Sequence, residues 1–177
     1  MQPRFKLALF IAILGIAAFG GSVFGRQDEL AAVRQVSAHF HRIDAALAAG
    51  YELGYVNGAG VRIIAGCVAH PTAGAMGYHY FNKALIDDMV VDPLRPEGLV
   101  YERLPNGELK LVAVEYVVPG PGSNPAGPSG PAPTIFGMQM HILVPPPGPG
   151  FYIHHAWVWD HNPAGMFADW NPEVTCP

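Results

Sequence analysis

Basic charge is scarce in this chain: 10 Lys and Arg stand against 14 Asp and Glu among 177 residues, and only 14% of positions are charged. No basic cluster is present, which excludes an electrostatic nucleic-acid footprint. Half the residues are hydrophobic and 11% aromatic, too many for a disordered chain. Cysteine is nearly absent: Cys67 and Cys176 stand alone without CxxC spacing. In an exported chain the default for such a pair is one disulfide tying the C-terminus to the middle. Catalytic signatures are missing as well. There is no GxSxG elbow, phosphate loop, HExxH helix or dinucleotide fingerprint, so nucleophilic catalysis has no candidate with a local signature.

What is present begins with an export signal. Arg4 and Lys6 precede an apolar run from Leu7 to Phe19, and small residues follow at Gly20, Gly21, Ser22 and Gly25. A cut after Gly25 places Val23 three residues before the bond, and no Cys follows to carry a lipid. A retained anchor is the rival, since 7–24 is just long enough to span a bilayer. Cleavage leaves 152 residues (177 − 25) with 8 basic against 14 acidic side chains, a net charge of −6. That length suits one domain, 26–177, outside the cytoplasm, secreted or periplasmic.

Periodicity predicts a helix over 28–50, capped by Asp28, with Leu30, Val33, Val36, Phe40, Ile43 and Leu47 inward and Gly50 closing it. His39 and His41 then flank the inward Phe40 as solvated positions. Residues 61–69 and 74–81 read as strands, and Asn82 as the cap of a short helix to Asp88. A hairpin about Pro105-Asn106-Gly107 pairs 99–104 with 108–118. It sets Leu99 opposite Val114 and Tyr101 opposite Val112. Glu115 then shares a face with Leu111, Ala113 and Val117 in a strand apolar on both sides, where an unpaired carboxylate would be costly. A Pro/Gly-rich loop over 119–133 and a strand over 135–144 follow. The fold these elements imply is α+β: one long helix on a curved antiparallel sheet, with one disulfide.

The richest stretch is 151–171, which holds all three Trp and three of the eight His. Strand alternation over 153–159 puts Ile153, His155, Trp157 and Trp159 on one face, with His154 on the other. Imidazoles and a carboxylate from neighbouring strands are ligand types for zinc or copper. His79, Glu115, His155 and His161 are therefore the candidate metal ligands, and Met138 or Met140 could add a thioether for copper. His70, His141 and His154 are assigned no role. The same groups permit acid–base chemistry by Glu115 and a His, of a hydrolase or isomerase kind, in a small-molecule pocket walled by Tyr78, Tyr80, Trp157 and Trp159. A structural secreted domain without a ligand is the third alternative.

The segments GAMGYHYFN, VDPLRPEGLVYE, LKLVAVEYVVP and HHAWVWDHNPAGMFADWNPEVTC together resemble an uncharacterised family of exported bacterial proteins, in the same order over roughly 67–176. His79, Glu115, His155 and the turn from Asn162 to Phe167 fall on its motif positions. The resemblance implies export and a single domain with a Cys near each end; it implies no activity. The Pro/Gly-rich loop departs from that pattern.

Overall fold

The computed structural model describes residues 21–123, 126–127, 129–144 and 150–177, with side chains from residue 25 onward. The export-signal expectation falls almost wholly outside these residues. Among them, no helix is long and apolar enough to cross a membrane. In chain order the helices are α1 (Gly21–Ser37), α2 (Ile43–Ala48) and α3 (Lys83–Asp88). The strands are β1 (Tyr51–Leu53), β2 (Tyr55–Val56), β3 (Arg62–Ile63), β4 (Cys67–His70), β5 (Gly74–Asn82), β6 (Gly98–Arg103), β7 (Leu109–Pro119), β8 (Thr134–Ile135), β9 (Met138–Gln139), β10 (His141–Leu143) and β11 (Phe151–Ala156).

The predicted long helix is broken. α1 has 17 residues, starts before Asp28, and passes into a 3₁₀ turn over Ala38–His41. The Ser37 hydroxyl donates to the Val33 carbonyl at 2.6 Å, a back-bond that competes with the regular ladder and bends helices. Arg42 is extended, at φ −92° and ψ 112°. The break resets the helical phase, so Ala46 is buried while Leu47 is exposed. Gly50 does adopt the left-handed conformation, at φ 89°. Asn82 caps α3 as its sequence suggests, accepting from the Ala84 and Leu85 amides.

The main sheet is antiparallel throughout, in the order β1-β5-β6-β7-β11-β10, and is not clearly curved. β4 lies along the first half of β5 and β1 along the second. The β6–β7 hairpin keeps Leu99 opposite Val114 but sets Tyr101 opposite Leu111, because a bulge falls between Val100 and Tyr101. An extra residue on one strand flips the alternation beyond it. Leu111 consequently joins Val114, Tyr116 and Val118 in the core under α1, while Ala113, Glu115 and Val117 face the other way. The strand expected over 135–144 is interrupted as well. Phe136 and Gly137 both have positive φ, 52° and 70°, the geometry of a tight hairpin turn between β8 and β9.

β7 is buried without interruption from Leu111 to Pro119. The helix side covers Tyr116 and Val118, and Ile86 of α3 packs with Phe81, Val117 and Ile153 on the opposite side. Beyond β11 the chain folds back as a C-terminal clamp. Ala75 and Asn171 exchange backbone hydrogen bonds of 3.0 and 3.1 Å, and the Cys67–Cys176 disulfide closes a separation of 109 residues.

Glu97, just ahead of β6, is 1% exposed. One carboxylate oxygen accepts from the Val117 amide at 3.0 Å and the other has no partner. Burial pushes its pKa up from 4.5 to about 8, against the pull of the Val117 hydrogen bond. The folded state thus holds a proton that the unfolded state has released, and stability falls as pH rises through that window. Glu97→Gln removes this loss while keeping an acceptor for Val117. Urea unfolding from about pH 5 to about pH 9 is expected to show a flatter profile for the variant, by on the order of 4 kcal/mol; parallel profiles would place the carboxylate in water.

Candidate metal centre

Strand register places three of the four predicted ligands at one point. Glu115 of β7 lies directly opposite His155 of β11 on one side and Gly98 of β6 on the other. Side chains directly across a ladder stand about 5 Å apart at Cβ, so Glu115 and His155 meet without adjustment. His79 comes from β5, beyond β6; it faces Val100, while Phe81 two residues on faces Gly98, so His79 meets Glu115 diagonally across the sheet. A Cβ on Gly98 would sit 3.0 Å from both Glu115 Cβ and Phe81 Cε1. The glycine therefore lets Phe81 lie flat against His79, with ring centroids 5.6 Å apart and planes 21° apart.

His79 Nε2 stands 3.5 Å from Glu115 Oε2, and His155 Nε2 stands 3.6 Å from Glu115 Oε1. Ligand atoms of the three residues all lie within 4.8 Å of one another, and all three residues are buried. Tetrahedral zinc with bonds of 2.0–2.2 Å sets its ligands roughly 3.4 Å apart, the scale of both Glu–His separations, one to each carboxylate oxygen. Glu115 Oε2, His79 Nδ1 and both His155 nitrogens are buried without a hydrogen-bond partner. Buried polar atoms are normally satisfied; of these four, Glu115 Oε2 and His155 Nε2 face the centre of the cluster, where a cation could satisfy them, while His155 Nδ1 faces Asp169.

The electrostatics follow from burial. Glu115 is pushed up to about 7 by desolvation, which the charge of His155 only partly offsets. His79 is pushed down to about 3 by desolvation and by repulsion from His155. Burial pulls His155 down too, but Glu115 and Asp169 outweigh it and its pKa is raised. The cluster is thus a neutral imidazole, a carboxyl and a second imidazole beside two acids.

Asp169 was not read from the sequence, where nothing in ADWN ties it to His155 fourteen places earlier or to His141 twenty-eight places earlier. Its Oδ1 is 3.4 Å from His155 Nδ1, and its Oδ2 is 3.0 Å from Nε2 of His141, a residue assigned no role. Gly98 was also missed, although a glycine inside an apolar strand signals close approach of other groups.

The remaining predicted residues lie elsewhere. His161 is exposed and faces Glu173 at 3.6 Å, because the chain leaves the sheet after Ala156 and the Asn162 turn directs it outward. Tyr78 and Tyr80 alternate with His79 and occupy the other side of β5; Tyr78 lies under Arg103 and Tyr80 against Tyr101. Trp157 does share the His155 side, ring centroids 6.4 Å apart, and its Nε1 donates to the Ala168 carbonyl. Trp159 has crossed to the helix side, where Nε1 donates to Ser37 Oγ at 3.0 Å and the ring meets His41. Strand alternation ends at Ala156, which is why the expected aromatic wall is not assembled. Met140 and Met138 belong to the helix-side core. His154 is buried between Phe136 and Phe167 on that same side.

Beside Glu115 an apolar pocket of about 20 Å³ is lined by Phe81, Ile86, Val117, Phe151 and Ile153 among others, close to the space of a single water. Glu115 is the one carboxylic acid of its lining, which also includes the Tyr55 phenol.

Gly98→Ala tests the close approach. The new methyl group must displace Phe81 or Glu115, and an overpacked core site loses about 1–3 kcal/mol. Urea unfolding is expected to show that loss, with shifted His79 ring resonances; unaltered stability and resonances would mean the glycine is incidental. Comparison with protein-family models, curated proteins and solved structures finds no match for the chain.

Proposed function

We propose that this is an exported, disulfide-closed binding protein that holds a transition metal through His79, Glu115 and His155. The observation that carries the reading is the convergence, from three strands, of three buried side chains whose ligand atoms lie within 4.8 Å, with Glu115 Oε2 and His155 Nε2 lacking hydrogen-bond partners. The disulfide agrees with an oxidising, extracytoplasmic compartment, and the resemblance to exported bacterial proteins points the same way.

Zinc suits the donors better than copper(I). Two imidazoles and a carboxylate form a nitrogen–oxygen set, and the two methionines that would have softened it pack in the helix-side core. Three protein ligands leave a fourth position open, and the small pocket beside Glu115 gives room for a water or a donor of similar size.

A second reading rests on the same pocket. A carboxyl at the edge of an apolar cavity, pushed up to about 7, is what a general acid or base at neutral pH requires. In that case Glu115 and a His exchange protons with a water or a small group reaching into that cavity, and no ion is held.

Elemental analysis of protein purified without a His-tag separates the two. The metal reading expects one zinc per chain and a thermal midpoint lowered by a chelator. His155→Ala is expected to weaken zinc by roughly 100-fold or more, beyond the loss typical of an outer-sphere partner. Metal-free protein that is fully stable and indifferent to added zinc would sink the metal reading and leave the acid–base one.

A further inference from the structure

We infer that Asp169 is the positioning residue of this centre: it fixes the proton of His155 on Nδ1 and so turns the Nε2 lone pair toward Glu115 and the ion. The inference rests on the metal reading above and adds the group that controls it.

The two ring nitrogens of His155 face different partners. Nε2 is 3.6 Å from Glu115 Oε1, and Nδ1 is 3.4 Å from Asp169 Oδ1. His155 is 0% exposed, so water does not compete at either atom. A neutral imidazole has one donor and one acceptor nitrogen, and an ionised carboxylate can only accept. The nitrogen beside a carboxylate that no ion shares must therefore be the donor. With Nε2 and Glu115 offered to a cation, the ring's one proton would be left on Nδ1, where Asp169 would accept it. Donation from a ligating imidazole to a carboxylate orients the ring and raises its basicity.

Asp169 is itself held on both sides. Its second oxygen lies 3.0 Å from His141 Nε2. The carbonyl before it, on Ala168, accepts from Trp157 Nε1 at 2.6 Å, and the carbonyl after it, on Trp170, accepts from Asn162 Nδ2 at 3.1 Å. The carboxylate is thus presented to His155 by a fixed backbone. Its side chain is 24% exposed, so truncation leaves a water-accessible notch rather than a buried hole, and the fold should tolerate it.

The test compares wild type, Asp169→Ala, Asp169→Asn and His141→Ala in two measurements. Zinc is titrated against a chromophoric chelator, and ¹⁵N ring shifts of His155 are recorded in the metal-free protein. Asp169→Ala is expected to bind zinc about 10- to 100-fold more weakly, with a metal-free thermal midpoint near that of wild type and the Nδ1–H signature of His155 lost. Asp169→Asn keeps an acceptor oxygen and should recover the signature and part of the affinity. His141→Ala, which removes only the outer partner of Asp169, should cost less than Asp169→Ala. Wild-type affinity and an unchanged His155 signature in Asp169→Ala overturn the inference while leaving the centre itself standing. If wild type takes up no zinc, the metal reading fails by itself, and loss or persistence of the Nδ1–H signature still decides what Asp169 does.

Discussion

A carboxylate cut off from water is the constraint around which this molecule is arranged. Glu115 sits midway along β7, 3% exposed, in a strand buried on both faces. Several kcal/mol separate such an ion from its hydrated state, so it must take up a proton, pair with a charge or bind a cation. The structure turns one imidazole toward each of its oxygens. Neither contact is a full hydrogen bond, and Glu115 Oε2 and both nitrogens of His155 are left without a hydrogen-bond partner.

Burial of that carboxylate is a consequence of topology. β7 lies inside the sheet between β6 and β11, with α1 and the 3₁₀ turn over one face and α3 with the β2 tyrosine over the other. A strand so placed reads as a nearly continuous apolar run, and LVAVEYVV does so apart from Glu115. The exception in the pattern is the functional candidate, as expected where a local rule is broken inside an otherwise consistent core.

How much of this was legible in the sequence differs by the range of the interaction. Local signals were sound: the Asn82 cap, the Asn-Gly hairpin, the left-handed Gly50 and the alternation along 151–156 all depend on neighbours a few residues apart. Glu115 and His155 could be singled out because each breaks an apolar or aromatic context. Phase errors arose where one residue altered the period. The bulge moved Leu111 to the opposite face from Glu115, the extended Arg42 turned Leu47 outward, and the end of β11 sent Trp159 to the helix side. Asp169 was beyond reach for another reason. It lies on an irregular segment where side-chain direction has no period, and only the docking of that segment brings it to His155.

That docking ties the centre to the chain's end. Gly74, at φ +93°, is where the clamp lands; a Cβ there would lie 2.1 Å from the Asn171 carbonyl oxygen. The bare backbone allows Ala75 and Asn171 to pair, and this one bridge sets two distances together. Four residues along β5 from Ala75 stands His79, and two residues before Asn171 stands Asp169. Cys67 anchors the same region, pairing with Tyr78 on the strand beside His79 while its sulfur holds Cys176. The strand that supplies His79 and the segment that supplies the carboxylate beside His155 are therefore parts of one assembly. Removing the clamp would strip Asp169 from His155 and expose the edge of β5 at once, so the integrity of the centre and the closure of the fold cannot be separated by any cut beyond β11.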